Sequence, residues 1–277
     1  MARAPVPALT SHADRPRLPP GEARLRQRRL SARGHRQAGP ACAGIVLFLA
    51  ALLAVDTGVE LRGQLLLGAA TWATLLLLCW PLSAERRAQV ALVVVVATCA
   101  ELTGSVLWGV YTYRLDNLPS FVPPAHGLVY LAGLALSVWV GRRAPLLVGL
   151  ALGVVVLWAV AGLTVLPRTD AGGALGAFLL AYFLLRGRAP AIYAGVFLIV
   201  AALEVYGTAL GTWSWAETIP GTPIPNGNPP SGVASGYVWF DFVALALAPR
   251  LLSATRSWAA RSRADRAARA HRSEGCA

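Results

Sequence analysis

The chain has 277 residues, of which 56% are hydrophobic, and its 25 basic and 13 acidic residues give a formal net charge of +12. Because apolar residues dominate and most charges lie towards the two ends, this composition excludes a soluble globular domain and an intrinsically disordered chain. It indicates an all-α fold, a polytopic membrane helix bundle. The basic residues are arginines in tails and short loops, a pattern typical of membrane topology rather than of nucleic-acid binding.

The N-terminal residues 1–40 contain nine arginines and several prolines, and no apolar stretch precedes Ala41. Such a segment cannot bury enough apolar surface to fold, and it lacks the apolar region of a signal peptide. The sequence therefore predicts a disordered basic cytoplasmic tail. Residues 253–277, again rich in arginine, are predicted to form a second basic cytoplasmic tail.

Between the tails, arginine, proline and glycine divide the chain into eight apolar runs. Each is close to the length that crosses about 30 Å of hydrocarbon as a helix. The predicted spans are residues 41–58, 63–82, 88–110, 125–140, 145–166, 171–186, 190–211 and 234–252. An alternative with seven spans would place the first run in the membrane interface.

The arginines also predict the orientation of the spans. Twenty-two of the 25 lie on one side, in the two tails, in the loops after the predicted spans two, four and six, and at the ends of spans six and eight. The other three, Arg62, Arg114 and Arg168, lie in loops of the opposite side. By the positive-inside rule both termini are cytoplasmic, which requires an even number of spans. We therefore expect a multi-pass protein of the inner (plasma) membrane.

Two glutamates deep within apolar runs divide the chain into halves. Glu101 begins the run Glu-Leu-Thr-Gly-Ser-Val-Leu-Trp, and Glu204 begins the similar run Glu-Val-Tyr-Gly-Thr-Ala-Leu-Gly. Each lies in the third span of its half, so residues 41–140 and 141–252 are predicted to be two direct four-helix repeats. A pseudo-twofold axis along the membrane normal would bring the third helices and their glutamates together near the centre.

An ionisable side chain at membrane depth costs at least about 2.5 kcal/mol, so these acids are candidates for function. On a regular helix, positions i, i+4, i+7 and i+11 share a face. This face joins each acid to hydroxyl and aromatic groups: Glu101 with Ser105, Trp108 and Thr112, and Glu204 with Thr208, Gly211 and Trp215. We expect the aromatic residues to follow the acid at the same interval in both halves. Gly104 and Gly207 would allow close approach by a helix or a flat ligand.

Further candidates lie near the same outer depth or in the two long outer loops. They are Asp241, His126, Tyr111, Tyr113, Tyr130, Trp213, Tyr237 and Asn228. A structural role is the alternative for each kind of residue. The acids could be protonated and hydrogen-bonded within the bundle, His126 could be an interfacial residue at a helix start, and the aromatic residues could belong to an interfacial belt.

These residue types suit acid catalysis on a polyene. A desolvated carboxylic acid that keeps its proton can act as a general acid, and aromatic faces stabilise a carbocation without trapping it. Together they suit protonation of an isoprenoid double bond, followed by water addition, cyclisation or proton loss. We expect Glu101 to be the general acid and Glu204 or Asp241 to be the base or to position water, with the aromatic residues lining the substrate site.

Other chemistries lack their motifs. No aspartate-rich pair suitable for a magnesium diphosphate is present, and a single histidine in the predicted spans argues against haem and multi-histidine iron sites. The four cysteines do not have the spacing of metal ligands. We therefore expect neither a metal nor another cofactor.

The segment Leu107–Tyr113, which follows Glu101, reads Leu-Trp-Gly-Val-Tyr-Thr-Tyr. It resembles a signature of the integral-membrane carotenoid biosynthesis family, which includes hydratases of the bisanhydrobacterioruberin hydratase type. Trp213-Ser-Trp215, followed by prolines and Asn228, resembles the second motif of that family, although Pro229 and Pro230 follow where Gly-Trp would be expected. The resemblance implies a membrane enzyme of carotenoid or isoprenoid chemistry, with a hydrophobic polyene substrate.

Two alternatives to an enzyme stay open at this point. Direct repeats and buried acids also suit a transporter that carries protons or cations between the halves. Such a protein would favour two similarly broken helices, whereas proline and glycine lie at helix ends here. The other alternative is a structural or assembly protein without a substrate. The expected partners are membrane lipid and a hydrophobic isoprenoid or carotenoid.

Overall fold

The computed structural model describes the backbone of residues 20–274 and every side chain of residues 34–258. Its α-helices are α1 (Pro20–Asp56), α2 (Leu61–Cys79), α3 (Ala84–Glu101), α4 (Val122–Val140), α5 (Ala144–Thr164), α6 (Ala171–Arg186), α7 (Pro190–Leu210) and α8 (Ala234–Glu274). The other elements are a π-helical segment after α3 (Leu102–Trp108), a 3-10 turn between α4 and α5 (Gly141–Arg143), and the strands β1 (Tyr111–Tyr113) and β2 (Trp213–Trp215). The described chain is therefore mainly α-helical, as the composition predicts.

Six segments of the described chain are long and apolar enough to cross a membrane: Gly34–Asp56, Leu61–Cys79, Ala84–Trp108, Val122–Thr164, Pro190–Leu210 and Ala234–Arg263. Val122–Thr164 contains both α4 and α5, and α6 is a shorter apolar helix. Large apolar side chains such as Leu66, Leu77 and Phe178 are exposed on the outside of the bundle, where lipid rather than water would cover them. These features are typical of a multi-pass helical membrane protein.

Both predicted tails contain helix where the structure describes them. Helix α1 begins at Pro20, so residues 20–40 are helical where the sequence predicts disorder, while residues 1–19 lie outside the described chain. At the other end α8 continues to Glu274. Both extensions are rich in alanine and arginine, which are strong helix formers. Each extension also continues a helix that the adjoining span has already nucleated.

The centre of the bundle is formed by α3, α4, α7 and α8. Helix α3 packs against α8 and α4, and α7 packs against α4 and α8. Each helix contributes completely buried residues there, among them Ala97, Leu128, Phe197 and Val238. The close packing that the sequence predicts between the two Glu-bearing helices is thus replaced by packing of each against α4 and α8.

Four connections meet at one end of the bundle, which we call the loop end: residues 57–60, 109–121, 165–170 and 211–233. Strands β1 and β2 pair there as an antiparallel ribbon, with Tyr111 opposite Trp215. Arg114 donates to two backbone carbonyls at the α1–α2 connection, and Arg168 donates to two at the end of β2. These bonds satisfy four carbonyl groups of irregular backbone within the protein, as such backbone requires wherever water is excluded.

Buried polar side chains also fix the loop end to the even-numbered helices. At the start of α6, Asp170 accepts hydrogen bonds of 2.7–3.0 Å from the backbone amides of Gly173, Gly227 and Ser231. At the start of α2, Gln64 accepts a hydrogen bond of 2.9 Å from the side chain of Asn117. Each long loop is therefore held by the second helix of its own half, and the ribbon is fixed above the four central helices.

Candidate functional site

The candidate site lies under the ribbon, where four aromatic side chains face the ends of α3 and α7. Alternate residues of a strand face the same side, so Tyr111 and Tyr113 of β1 lie beside Trp213 and Trp215 of β2. The middle residue of each strand is exposed. Ring centroids are 4.6 Å apart for Tyr111 and Trp215 and 6.2 Å apart for Tyr113 and Trp213. The ribbon thus presents a small aromatic roof.

Glu101, the last residue of α3, is buried below this roof. The hydroxyls of Tyr111 and Tyr113 both donate to its Oε2, each at 2.7 Å. His126, near the start of α4, places its Nε2 2.9 Å from the other oxygen, Oε1. Both oxygens are therefore engaged, and hydrogen bonds to a charged group are stronger than those between neutral groups. This environment favours the ionised carboxylate in spite of its burial.

The two tyrosines are proton donors in this arrangement. Burial and the neighbouring charge of Glu101 raise the pKa of Tyr111 and of Tyr113 well above the ordinary value of a phenol. Both hydroxyls therefore keep their protons near neutral pH, and the ribbon supplies fixed O–H donors to Glu101.

Glu204, in the last turns of α7, is held in a different way. The indole nitrogens of Trp213 and Trp215 both donate to its Oε2, at 2.9 and 3.3 Å. Among the described residues nothing donates to its other oxygen, Oε1. Glu204 is buried in the protein and lines the same cavity as Glu101. One oxygen of this acid is thus fixed, and the other is left for a ligand.

A cavity of about 240 Å³ lies between the two acids and below the ribbon. Its polar lining consists of Glu101, Glu204 and His126 with the four ribbon aromatics and Tyr237 of α8. His126 stacks on Tyr237, with ring centroids 4.7 Å apart. Most of the remaining wall is apolar and includes Leu49, Leu52, Leu53, Val129, Val200 and Phe240. The site therefore joins two acids and several aromatic rings to an apolar chamber.

The two halves differ by one residue between the acid and its donors. The donors follow Glu101 by 10 and 12 positions, whereas they follow Glu204 by 9 and 11. The extra residue lies in the π-helical segment, because a π-bulge accommodates one residue more than the α-helix it interrupts. Both helical stretches then end at a glycine with positive φ, Gly109 or Gly211. The prediction of equal intervals is therefore wrong by one residue.

Gly104 and Gly207 make room for the ribbon. A Cβ atom on Gly104 would lie 3.0 Å from the ring of Tyr111, and one on Gly207 would overlap the ring of Trp213. The sequence predicts that these glycines admit a helix or a flat ligand, and the flat group here is the first aromatic residue of each strand. Tyr111 and Trp213 therefore occupy corresponding positions in the two halves, although Tyr111 follows Glu101 by 10 residues and Trp213 follows Glu204 by 9.

Five predicted site residues do not line the cavity. The hydroxyls of Ser105 and Thr208 donate to the backbone carbonyl four residues earlier, each at 2.7 Å. Trp108 is half exposed and donates to a carbonyl of the second long loop, while Asn228 accepts from the backbone amide of the last residue of β2. The fifth residue is Asp241. For Ser105 and Trp108, the face of a regular helix is a poor guide because both lie in the π-helical segment, which changes the rotation after Glu101.

Asp241 is 2% exposed, and its Oδ2 has no partner among the described residues. Tyr130, another candidate, donates to Gln89 at 2.9 Å, and Arg86 donates to the same oxygen of Gln89. Neither Asp241 nor Tyr130 lines the cavity. Their positions therefore give no support to the expected role of Asp241 as a base in this site.

Sequence reasoning did not identify the part of the wall that α1 supplies. Leu49, Leu52 and Leu53 line the cavity, but they belong to a uniformly apolar run in which a cavity-facing leucine and a lipid-facing leucine look alike. No sequence signal distinguishes them. Phe240 was missed for the same reason, since it lies beside exposed and buried aromatic residues in one apolar stretch of α8.

Comparison with known protein families, with curated proteins and with solved structures finds no match to this chain. Among the described residues, no group of three or more His, Cys, Asp or Glu side chains could hold a metal ion. The resemblance to carotenoid hydratases therefore stays a prediction from two short motifs, and a proposal about function must depend on the chemistry of the cavity.

Proposed function

We propose that the chain is an integral membrane enzyme of carotenoid or related isoprenoid metabolism that protonates a double bond of a polyene. The observation that carries the proposal is the cavity, in which two buried carboxyl groups and a set of aromatic rings face an otherwise apolar wall. Protonation of a carbon–carbon double bond needs an acid, an apolar site and a means of stabilising a cation. The lining residues provide all three.

We assign the proton donor to Glu204 rather than to Glu101, the residue expected from the sequence. The two indoles engage only Oε2 of Glu204, which supports a proton on Oε1, whereas both oxygens of Glu101 are engaged. The proton moves from Glu204 to one carbon of the double bond, where a C–H bond forms. The neighbouring carbon becomes a cation, and Glu204 becomes a carboxylate.

Glu101 stays ionised in this scheme and stabilises the cation by its charge, together with the aromatic rings. Three outcomes return the proton to Glu204. Water adds to the cation and releases a proton, a neighbouring C–H bond gives up its proton to form an isomer, or a second double bond attacks and the cyclised cation then loses a proton. Each reaction balances without an oxidant or a reductant.

The size of the cavity indicates which part of a polyene would enter. Pockets for drug-sized ligands measure about 300–1,000 Å³, and this one is about 240 Å³. It would therefore hold one end of a long isoprenoid, and the rest of the chain would extend into the surrounding lipid. The reacting double bond would then be one near the end of the polyene.

We also propose eight spans arranged as two direct repeats, residues 41–140 and 141–252, in the plasma membrane with both termini cytoplasmic. Matched contacts support the repeats, since α3 packs against α8 as α7 packs against α4, and each acid is held by the strand that follows it. Reporter domains fused after Arg143 should be cytoplasmic, and one fused near Gly227 should be external. An external C-terminus would contradict the direct repeats.

The experiment that tests the reaction compares lipid extracts of the source strain with those of a strain that lacks the gene. The deletion strain is complemented with the wild-type chain, with Glu204→Gln, or with Glu60→Gln as a control that removes an exposed acid at the start of α2. Polyenes are separated by chromatography and identified by mass, and each amount is normalised to inserted protein.

For a hydratase, the deletion strain accumulates a polyene lighter by one water, and for an isomerase or cyclase it accumulates an isomer of equal mass. Glu60→Gln restores the normal product and Glu204→Gln does not. Identical polyenes in all strains would overturn the proposal. Altered uptake of ions or solutes in the same strains would then favour the transporter.

A further inference from the structure

The cavity has an excess of acidic groups. Glu101 and Glu204 both line it, and His126, already paired with Glu101, is the basic residue of the lining. The arginines of the loop end, Arg114 and Arg168, donate to backbone carbonyls instead. Buried carboxylates are normally paired with a positive charge, and Glu204 has no cationic partner among the described residues. In the free protein a proton on Oε1 neutralises Glu204, and a cationic ligand would displace that proton and pair with the carboxylate.

Aromatic rings surround the acids. Tyr111, Tyr113, Trp213 and Trp215 line the cavity on the ribbon side, and Tyr237 lines it from α8. The polar hydrogens of the four ribbon side chains are directed to the carboxyl groups. Clusters of tryptophan and tyrosine rings bind ammonium groups by cation–π attraction, which is strongest where water is excluded.

We propose that this cavity binds amphiphilic cations, namely a quaternary or protonated amine at the end of one hydrocarbon chain. The ammonium group lies between Glu204 and the rings of Trp213 and Trp215, where it pairs with the free oxygen of Glu204. The apolar wall, which includes Leu49 and Val200, contacts the first part of the hydrocarbon chain. Anionic amphiphiles of the same size are rejected because like charges repel in a site of low dielectric.

This binding activity goes beyond the proposed reaction and does not depend on it. If the reaction occurs as proposed, the ammonium group occupies the place of the carbocation and opposes the Glu204 carboxylate that proton transfer leaves behind. Such a ligand would then be a stable mimic of the intermediate and an inhibitor. If the protein has another activity, the cation site remains, because it follows from the charges and rings alone.

The test measures equilibrium binding to the full chain in nanodiscs of phosphatidylcholine, whose zero net charge avoids accumulation of cations at the lipid surface. Three probes of nearly equal size are compared: geranyltrimethylammonium, the hydrocarbon in which carbon replaces its nitrogen, and geranoate. Empty nanodiscs give the partition into lipid, which is subtracted. We expect the ammonium probe to bind at least about tenfold more tightly than the neutral one, and geranoate not to bind measurably.

Variants inside and outside the cavity test whether the ammonium probe binds there. Glu204→Gln keeps the shape of the side chain but cannot ionise, and it should weaken binding of the ammonium probe at least about tenfold while leaving the neutral probe within about twofold. Trp215→Leu should weaken the ammonium probe by roughly three- to tenfold. Glu60→Gln, which removes an exposed acid outside the cavity, should change neither value.

Equal affinity for the ammonium probe and its carbon isostere in the wild-type chain would overturn the inference. So would an unchanged preference for the cation in Glu204→Gln. Retained binding of the neutral probe by the variants shows that they are folded. Failure of the binding test with normal product formation would reject the cation site alone, whereas cation binding without any change of polyenes would reject the proposed reaction alone.

Discussion

Glu101 and Glu204 lie at the ends of corresponding helices, and each accepts hydrogen bonds from two residues of the adjoining strand. In the first half the donors are phenols, with an imidazole from α4 as a third partner. In the second half the donors are indoles, and both bind the same oxygen. The same backbone arrangement thus holds one carboxyl group by both oxygens and the other by one.

In the proposed reaction, this difference would allow the two acids to take different roles in one site. Three partners on two oxygens favour a fixed negative charge, while two donors on one oxygen leave the second oxygen without a donor, as the proposed proton transfer requires. The position of each acid comes from features common to both halves, the helix end and the strand. The chemistry of each acid comes from the side chains that differ.

The largest effect on activity is expected from Glu204→Gln. An amide keeps the shape and accepts the indole hydrogen bonds, but it cannot deliver a proton, so product formation should fall about 10²- to 10⁴-fold. The measurement is product formed in membranes, normalised to inserted protein, with Glu60→Gln as the control. Full activity in Glu204→Gln would show that Glu204 is not the proton donor that its hydrogen bonds indicate.

The largest effect on stability is expected from Glu101→Gln. The amide has one oxygen in place of two, so its NH₂ group must face either the tyrosine hydroxyls or His126. Loss of a buried carboxylate with such partners typically costs about 3–5 kcal/mol. The same substitution at Glu204, where one oxygen has no donor, should cost less than about 2 kcal/mol. The free energy of unfolding in detergent compares them, and equal losses would contradict the distinction.

Alanine substitutions at the two glycines should lower the stability of the protein by smaller amounts, and by different amounts in the two halves. In Gly207→Ala the new Cβ overlaps Trp213, and overpacking of this kind costs about 1–3 kcal/mol. In Gly104→Ala it lies 3.0 Å from Tyr111, which can shift by a few tenths of an ångström, so the cost should be below about 1 kcal/mol. The melting temperatures of both variants test the order, and a larger loss for Gly104→Ala would reverse it.

Much of the helical architecture could be predicted from the sequence because lipid imposes a simple rule. A segment that crosses hydrocarbon must be long, apolar and helical, so the run predicted at 190–211 agrees with α7 at Pro190–Leu210. That rule does not apply outside the hydrocarbon. The helical extension of α1 to Pro20 was therefore missed, since arginine-rich composition alone does not distinguish a continued helix from a disordered tail.

The site could be predicted in part for a similar reason. Buried acids are costly, so Glu101 and Glu204 are conspicuous in sequence, and the aromatic residues after them are recognisable. Their geometry was not predictable, because the helical face that placed Trp108 in line with Glu101 assumes a regular α-helix. A single extra residue in a π-helical segment removes that alignment, and nothing in the composition of Leu102–Trp108 signals it.

The smallest effect is expected from a deletion that makes the halves alike. Val106 and Ala209 are exposed, and each follows its acid by five positions. Deletion of Val106 should convert the π-helical segment to an α-helix with the spacing of the second half and leave the ribbon in place. Deletion of Ala209 instead removes a residue from a regular helix, which turns the following strand by about 100° and separates the indoles from Glu204.

A disulfide across the ribbon measures whether the two strands still pair in each deletion. Thr112 and Ser214 are opposite each other in β1 and β2, so cysteines at both positions should form a disulfide when the ribbon is intact. In a background without the native cysteines, the cross-link should form in the Val106 deletion nearly as in the parent and should be lost in the Ala209 deletion. Equal loss in both deletions would mean that the π-helical segment is essential to the site, and that the halves do not share one underlying spacing.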